Sequence, residues 1–334
     1  MRFVVGVDGG GTKTAAAVVS DDLKEAGSAV AGPANYRSLG KATASQNIHD
    51  AVAQALKAAN VSLDQIAAIC FCLSGFDTEL DLPVPQLAIE LLGFTGATIF
   101  ENDVVGALAS VTAGESGIVA IAGTGSTALG QNARGDFWRV DGWDYVLGDA
   151  GSGYRIGLDA IHAAMQMLDG RRKPTRLLTK LAAFYAVDDA LGMRRLADSG
   201  ALGKLRIADF ARHVAEAADE GDAVSQGILR QAADDIADAI AAIVTKLDMR
   251  DDTFPIGGVG SVFKSTEWII EPLLQCLKTI APHATFTEPR YTPETGAAII
   301  AQKRLASDDL LSWTLGAGSR QIRRTLQISK LNLS

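Results

Sequence analysis

The chain is poor in cysteine and has no long apolar run, and each scarcity excludes a class of protein. Three of its 334 residues are cysteine, an odd and sparse number that gives no disulfide framework and is typical of a reducing compartment. No stretch of about 18 uninterrupted apolar residues occurs, so we expect no membrane span. The first residues lead into a strand rather than a secretory leader, and we therefore expect a cytoplasmic protein.

Positive charge is also scarce, and histidine is rarer still. The formal net charge is −8 and the sequence pI is about 5.1, which argues against a nucleic-acid partner, because such proteins usually carry a basic stripe. The four histidines are scattered without the paired spacing of a metal site, so we expect them to be structural or surface groups. The clearest basic segment is the tail 306–334, which lacks a regular hydrophobic period.

Apolar segments separated by turns make up most of the chain. At 48% hydrophobic over 334 residues, it is long enough for about two domains with their own cores. The first part predicts a β-β-β-α-β-α-β order, with strands at 3–8, 13–20, 24–31, 66–73 and 97–100 and helices at 43–59 and 84–92. A second β-β-β opening, at 117–122, 127–131 and 137–140, indicates a duplication of pattern. Further predicted helices are 151–168, 173–186, 189–199, 206–219, 222–248, 265–279 and 293–305, with short strands at 254–256 and 284–287.

Three glycine-rich turns each follow an apolar strand: Gly9–Gly11, Gly123–Gly125 and Gly257–Gly260. Glycine lets a backbone approach a ligand closely, and nearby hydroxyl and N–H groups can hold phosphate oxygens. The first turn is not a Walker A loop, because a strand rather than a helix follows it. One such turn is an ordinary hairpin, but three with Thr or Ser predict a nucleotide site, with Asp8 placed to hold Mg²⁺ directly or through water.

Four motifs in a fixed order carry a family resemblance. They are Asp8–Thr14, Gly123–Ser126, Gly142–Trp143 with Gly148–Ser152, and Gly257–Phe263. In these motifs, over about residues 3–305, the chain resembles the BadF/BadG/BcrA/BcrD ATPase family. The resemblance implies an α/β fold of two ribonuclease-H-like domains, of the actin/hexokinase type, with ATP and Mg²⁺ in the cleft between them. The expected domains are 1–115 plus 294–334, where a last helix returns to the first domain, and 116–293.

The same resemblance implies a kinase that transfers phosphate from ATP to the 6-hydroxyl of a small-molecule amino sugar. N-acetylglucosamine is the first candidate for this sugar. It makes Asp103 the catalytic base, although a helix cap explains that residue equally well from local sequence. The implied ATP-binding residues are Gly9, Gly10, Gly11, Thr12, Lys13, Thr14, Gly123, Thr124, Gly125, Ser126, Ala218, Gly257, Gly258 and Gly260, with Asp8 for the metal. The implied sugar-binding residues are Asn35, Ser74, Gly75, Asp103, Gly142, Trp143, Asp144 and Asp149. From their residue types alone, Asn35 is equally a turn residue and Trp143 more often a core residue.

Two departures from the family pattern keep the substrate open. Asp144 stands where amino-sugar kinases of the family often have glycine, and Ala150 where they often have glutamate. A carboxylate at Asp144 could favour the free amine of glucosamine, so glucosamine and other hexosamines such as N-acetylmuramic acid are alternatives.

Two further functional classes, and a homodimer, also stay open. An activator ATPase of a dehydratase would need cysteines to hold an iron–sulfur cluster at a dimer interface, but Cys70 and Cys72 fall in a predicted buried strand. A non-catalytic sugar sensor would not require both Asp8 and Asp103. A sensor of the repressor type is also expected to carry a cysteine-rich zinc loop, which the sequence does not show.

Overall fold

A computed structural model describes residues 2–307, and it confirms the predicted α/β class with two five-stranded sheets. The strands are β1 Phe3–Gly9, β2 Thr14–Ser20, β3 Glu25–Ala31, β4 Ile66–Leu73, β5 Ala97–Asn102, β6 Gly117–Ala122, β7 Ser126–Gln131, β8 Phe137–Asp141, β9 Pro255–Val259 and β10 Thr285–Thr287. The helices are α1 Tyr36–Leu39, α2 Lys41–Ala59, α3 Pro83–Leu92, α4 Asp103–Thr112, α5 Gly153–Leu168, α6 Leu177–Tyr185, α7 Ala190–Asp198, α8 Lys204–Ala208, α9 Ala211–Asp219, α10 Ala223–Leu247, α11 Glu271–Ile280 and α12 Pro293–Ser307.

The first sheet has the strand order β3-β2-β1-β4-β5. Tight hairpins make β1, β2 and β3 antiparallel to their sequence neighbours, whereas β4 and β5 return through helices and pair in parallel with β1 and with each other. The register sets Asp8 beside Cys72, and Leu73 beside Asn102. Since parallel strands end at the same edge, the loops after β1, β4 and β5 leave the sheet together.

Helices cover this sheet with apolar side chains. Ile48, Val52 and Leu56 of α2 lie in one buried cluster with Val5 of β1 and Phe71 of β4. The C-terminal helix α12 also packs on β1, and it does so at very short range. A Cβ on Gly6 would lie 1.9 Å from the carbonyl oxygen of Glu294, so only glycine permits this approach.

The second sheet has the order β10-β9-β6-β7-β8. Two of the predicted helices in this part of the chain differ from expectation. The single helix 206–219 is interrupted, because Ile207 of α8 packs against α5 while Phe210, in the break, packs against Phe184 and Tyr185 of α6. The helix predicted from 265 instead begins with a π turn, Thr266–Ile270, which leads into α11.

The chain divides into two compact units. One comprises the described parts of Met1–Val119, Leu129–Trp138 and Glu288–Ser334, and the other comprises Ala120–Ala128 and Arg139–Thr287. The domain limits expected from the sequence remain a prediction, and the basic tail lies outside the described residues from 308 onward. Within residues 2–307, no helix combines the length and the apolar character needed to cross a bilayer.

Candidate active site

Three predicted site residues meet at one edge of the first sheet. Asp8 lies near the end of β1, Ser74 follows β4, and Asp103 follows β5 as the first residue of α4. The Ser74 N–H donates to the carbonyl of Gly9 at 2.8 Å, which ties two of these strand ends together. The crossover connections therefore gather residues that are almost 100 positions apart in the chain.

Asp8 has an unusual electrostatic environment. Burial, followed by the negative charges of Asp103 and Glu294, raises its pKa from 3.8 to about 7, and Lys13 opposes the shift. A half-buried carboxylate beside two others favours a cation, because the cation relieves their mutual repulsion. Among the described residues, no three acidic, histidine or cysteine side chains form a complete metal cage. Mg²⁺ usually takes one or two carboxylates together with phosphate oxygens and water.

Glu294 is the site residue that the sequence reasoning did not select. It lies in the first turn of α12, in the stretch Thr-Pro-Glu-Thr-Gly. The proline at the first helical position indicates a helix start. The glycine two residues after the glutamate indicates close contact with other backbone. Nothing in the sequence, however, indicates that this helix end approaches Asp8.

The cap of α4 is Asn102 rather than Asp103. The Asn102 side-chain oxygen accepts from the N–H of Val104 at 3.2 Å, and its amide nitrogen donates to the carbonyl of Phe76 and to Asp77. Asp103 lies inside the first turn and is half-buried. Asn102, and not Asp103, therefore caps this helix.

The first glycine turn forms a framework with the loop after β3. The N–H of Gly10 donates to the Lys13 carbonyl at 2.9 Å, and the Ala34 N–H donates to the Gly10 carbonyl at 3.0 Å. The hydroxyl of Thr14, which is buried, donates to the Gly32 carbonyl at 2.7 Å. The Thr14 hydroxyl is thus hydrogen-bonded within the protein. Gly11, Thr12 and Lys13, in contrast, are exposed at the tip of the turn.

Two expected sugar contacts lie next to this framework. Asn35 is the N-cap of α1, where its side-chain oxygen accepts from the Arg37 N–H at 3.1 Å; its amide group can still donate. The Arg37 guanidinium donates to the carbonyl of Gly75 at 3.2 Å, and Gly75 has a φ of +76° that favours glycine. Arg37 therefore joins the loop after β3 to the loop after β4.

The second and third glycine turns lie in contact in the other unit. A Cβ on Gly260, where φ is +115°, would lie 2.4 Å from the Ala122 carbonyl oxygen and 3.1 Å from the Gly123 nitrogen. The Gly123 carbonyl accepts from the N–H of Gly153 at 2.7 Å, and the Thr124 carbonyl accepts from Tyr154 at 3.3 Å. These bonds join the second turn to the first residues of α5.

A cavity of about 510 Å³ lies beside the third turn, within the size range of a small-ligand pocket. Its walls come from α5, α9, α10 and the segment after β9, and the lining residues are Ile156, Ala208, Asp209, Ala211, Arg212, Ala215, Glu216, Asp219, Leu229, Ser261, Val262, Lys264 and Ser265. The predicted Ala218 is buried in the same helix as Ala215 and Asp219 but does not line the cavity. The role of Ala218 in ATP binding stays a prediction.

Residues 141–150 form a loop whose two ends are joined by hydrogen bonds to the Asp141 side chain. This carboxylate accepts from the N–H groups of Gly142, Asp149 and Ala150 at 2.7 to 3.0 Å. Asp149 in turn accepts from the Ser126 N–H at 3.0 Å, and the Ser126 hydroxyl donates to the Ala150 carbonyl at 2.6 Å. The loop expected to hold a sugar is therefore hydrogen-bonded directly to the second glycine turn.

The tip of this loop is exposed. Trp143 is 53% exposed, so it is not a core residue. Asp144 has a φ of +71°, which explains why glycine suits this position and why aspartate, which tolerates the left-handed region, can replace it. Its carboxylate lies 2.7 Å from the ammonium of Lys204, which also lies 2.8 Å from Asp149. The charge expected to favour a free amine is thus balanced inside the protein.

Residues 5–301 match the sequence model of the BadF/BadG/BcrA/BcrD ATPase family. The chain belongs to this family. The chain is 30% identical over 302 residues to an N-acetylmuramic acid/N-acetylglucosamine kinase of Clostridium acetobutylicum, covering 90% of this chain and 99% of the relative. It is 29% identical over 313 residues to the N-acetyl-D-glucosamine kinase of Dictyostelium discoideum, covering 90% and 98%.

A crystal structure of a candidate N-acetylglucosamine kinase from Chromobacterium violaceum has the same fold. Its TM-score with this chain is 0.73 at 26% identity, over 90% of this chain and 99% of the other. The predicted actin/hexokinase-type fold is confirmed by this likeness and by the strand order. With these relatives, the family membership makes the chain an enzyme, an ATP-dependent phosphotransferase of the sugar-kinase type.

The positions of the cysteines test the alternative of an activator ATPase, which would need cysteines to hold an iron–sulfur cluster at a dimer interface. Cys70 and Cys72 are fully buried in β4, with their sulfurs 3.9 Å apart. Strand side chains enclosed in this way cannot reach a partner subunit to share a cluster. Cys276, in α11, is partly buried and lies 3.9 Å from a carboxylate oxygen of Asp234.

Proposed function

We propose that this enzyme transfers the γ-phosphoryl group of ATP to the 6-hydroxyl of an amino sugar, with N-acetylglucosamine as the first candidate. The observation that carries the proposal is the meeting of Asp8, Ser74 and Asp103 at the edge of the first sheet. A carboxylate that does not cap its helix, close to a half-buried carboxylate suited to Mg²⁺, fits a base beside a metal–phosphate group. The names of the relatives support the amino-sugar substrate.

The glycine turns and the cavity are the proposed ATP site. The exposed turn residues Gly11, Thr12 and Lys13 are suited to phosphate oxygens through N–H, hydroxyl and ammonium groups. Gly123–Ser126 would also hold phosphates, and the cavity beside Gly257–Gly260 has room for the nucleoside. Mg²⁺, when bound, neutralises phosphate charge, and Asp8 is the residue that would hold it, directly or through water.

Asp103 is the proposed general base. A sugar hydroxyl is a weak nucleophile, and Asp103 would accept its proton as the oxygen attacks the γ-phosphorus and the bond to the bridging oxygen of ADP breaks. The products are the sugar 6-phosphate, ADP and one proton. The rest of the rate enhancement comes from positioning and from the neutralisation of charge.

The proposed sugar contacts come from the segments after β3 and β4 and from the loop 141–150. Asn35, Ser74 and Gly75 would offer amide, hydroxyl and backbone groups. In the loop 141–150, Asp149 would offer a carboxylate for hydroxyl groups, Gly142 lies in the same loop, and the exposed Trp143 would offer a flat surface for sugar C–H groups. Glucosamine is the second candidate substrate, because its ammonium would complement the Asp144 carboxylate in competition with Lys204.

A coupled assay that measures ADP formation tests the proposal. We expect sugar-dependent ADP release with Mg²⁺, tested over N-acetylglucosamine, glucosamine, N-acetylmannosamine, N-acetylmuramic acid and glucose. Phosphorus–proton coupling in the NMR spectrum of the product should identify C6 as the phosphorylated position. ADP release that does not depend on any sugar, or a phosphate at C1, would refute the proposal.

A further inference from the structure

Lys204 bridges two carboxylates of the loop 141–150. Its ammonium lies 2.7 Å from Asp144 and 2.8 Å from Asp149, and it also lies over the ring of Tyr145, 5.3 Å from the ring centre. The Lys204 side chain is 30% exposed, and that of Asp149 is 5% exposed. A partly enclosed cation that contacts two carboxylates and an aromatic ring is held in one position, unlike an ordinary surface lysine.

The fold fixes the backbone beneath this lysine. Lys204 is the first residue of the short helix α8, a position where the helix dipole disfavours a positive charge, so the two carboxylates must offset that cost. Helix α8 lies very close to α5: a Cβ on Gly157 would be 2.0 Å from the Ile207 carbonyl oxygen. The ammonium is therefore positioned from one helix, and its partners from a loop 55 to 60 residues earlier.

Both partners have a left-handed backbone conformation. Asp144 and Asp149 have φ values of +71° and +63°, in the left-handed region that residues other than glycine rarely occupy. The Asp149 carboxylate also accepts from the Ser126 N–H at 3.0 Å. Lys204 thus completes a small network that links the exposed end of the loop to the second glycine turn.

We propose that Lys204 is a specificity-determining residue, which cancels the charge of Asp144 and holds Asp149 so that the loop accepts a neutral N-acetylated amino sugar in preference to a protonated one. The inference rests on the proposed sugar-kinase function. The charges of Asp144, Asp149 and Lys204 sum to −1. Loss of the lysine leaves −2, and neutralisation of Asp144 leaves 0. Each change alters the electrostatic attraction for a cationic sugar more than that for a neutral one.

The test compares kcat/KM for glucosamine with kcat/KM for N-acetylglucosamine at pH 7, where an amine of this kind is largely protonated. For Lys204→Met we expect the ratio of the two to rise about tenfold, in favour of glucosamine. For Asp144→Asn we expect it to fall. The double variant, with the wild-type sum of charges, should return close to the wild-type ratio.

Controls separate charge from packing. Lys204→Arg keeps the charge and should keep the ratio. Lys303→Met removes a lysine that pairs with Glu115 in the other unit and should leave the ratio unchanged. The KM for ATP and the thermal unfolding midpoint report damage to the fold. If Lys204→Met does not fold, two other variants still test the inference. The kcat/KM ratio of glucosamine to N-acetylglucosamine should fall for Asp144→Asn and stay unchanged for Lys204→Arg.

Two outcomes would overturn the inference. One is an unchanged ratio in a folded Lys204→Met or Asp144→Asn variant, and the other is a double variant that does not return toward the wild-type ratio. The failure of the proposed function would look different, because the wild-type enzyme would then phosphorylate neither sugar.

Discussion

At the scale of the residue, the sequence leaves Asp103 open as a helix cap or as a catalytic base. Asn102 caps α4, so a substitution of Asp103 leaves the side-chain cap of the helix in place. We predict that Asp103→Asn lowers kcat by about 10²–10⁴-fold, because only proton acceptance is lost. Steady-state kinetics measure the effect, and calorimetry should find ATP binding retained.

A matched substitution distinguishes this role from a helix-dipole effect. Glu271 is an exposed acid in the first turn of α11, and Glu271→Gln should leave kcat close to the wild-type value. Near-normal turnover in Asp103→Asn would end the assignment of the base.

Asp8 gives a prediction for pH and metal. Its pKa is raised from 3.8 to about 7 by burial and by Asp103 and Glu294, so folding takes up a proton between these pH values. The contribution of Asp8 to the free energy of unfolding therefore falls as pH rises through this range. A bound cation relieves the cost, and Mg²⁺ added with ADP should raise the unfolding temperature more at pH 8 than at pH 6.

The control for this prediction is Asp8→Asn. The metal-free variant should unfold a few degrees higher than wild type at pH 8, and its response to Mg²⁺ should no longer differ between the two pH values. An equal Mg²⁺ response of the wild-type protein at pH 6 and pH 8 would contradict the role given to Asp8.

At the scale of the element, glycine sets how closely helices approach. A Cβ on Gly296 of α12 would lie 2.2 Å from the Gly106 carbonyl oxygen and 2.8 Å from the Ser110 nitrogen, both in the backbone of α4. We predict that Gly296→Ala destabilises the protein by about 1–3 kcal/mol, since backbone cannot move aside as a flexible side chain can. Urea unfolding measures the loss.

A second helical glycine should respond with the opposite sign. Gly227 of α10 is exposed and has no atom within 4 Å of an added Cβ. Gly227→Ala should therefore stabilise the protein by about 0.5–1 kcal/mol through helix propensity alone. Equal effects of the two substitutions would show that close packing at Gly296 is not the cause.

At the scale of the whole molecule, the proposed reaction requires that water be kept from the γ-phosphate. We predict that a nonhydrolysable ATP analogue and the sugar together reduce the radius of gyration, measured by small-angle X-ray scattering. Either ligand alone should give a smaller change. An unchanged radius with both ligands bound would argue against closure around the substrates.

The sequence by itself determined most of the elements, because alternating and helical apolar periods are local properties. Strands such as 3–8 and 66–73 were predicted to within a residue of β1 and β4. Local patterns failed where distant contacts decide. The break before Phe210 follows from its packing against α6, which no local period records.

Tertiary structure alone decided which charges face each other. Glu294 reaches Asp8 because α12 packs back on β1, and Lys204 reaches Asp144 and Asp149 because α8 lies against α5. Electrostatic interactions depend on distance in space rather than on separation along the chain. The sequence could therefore name the acids of the site but not the partners that set their charge.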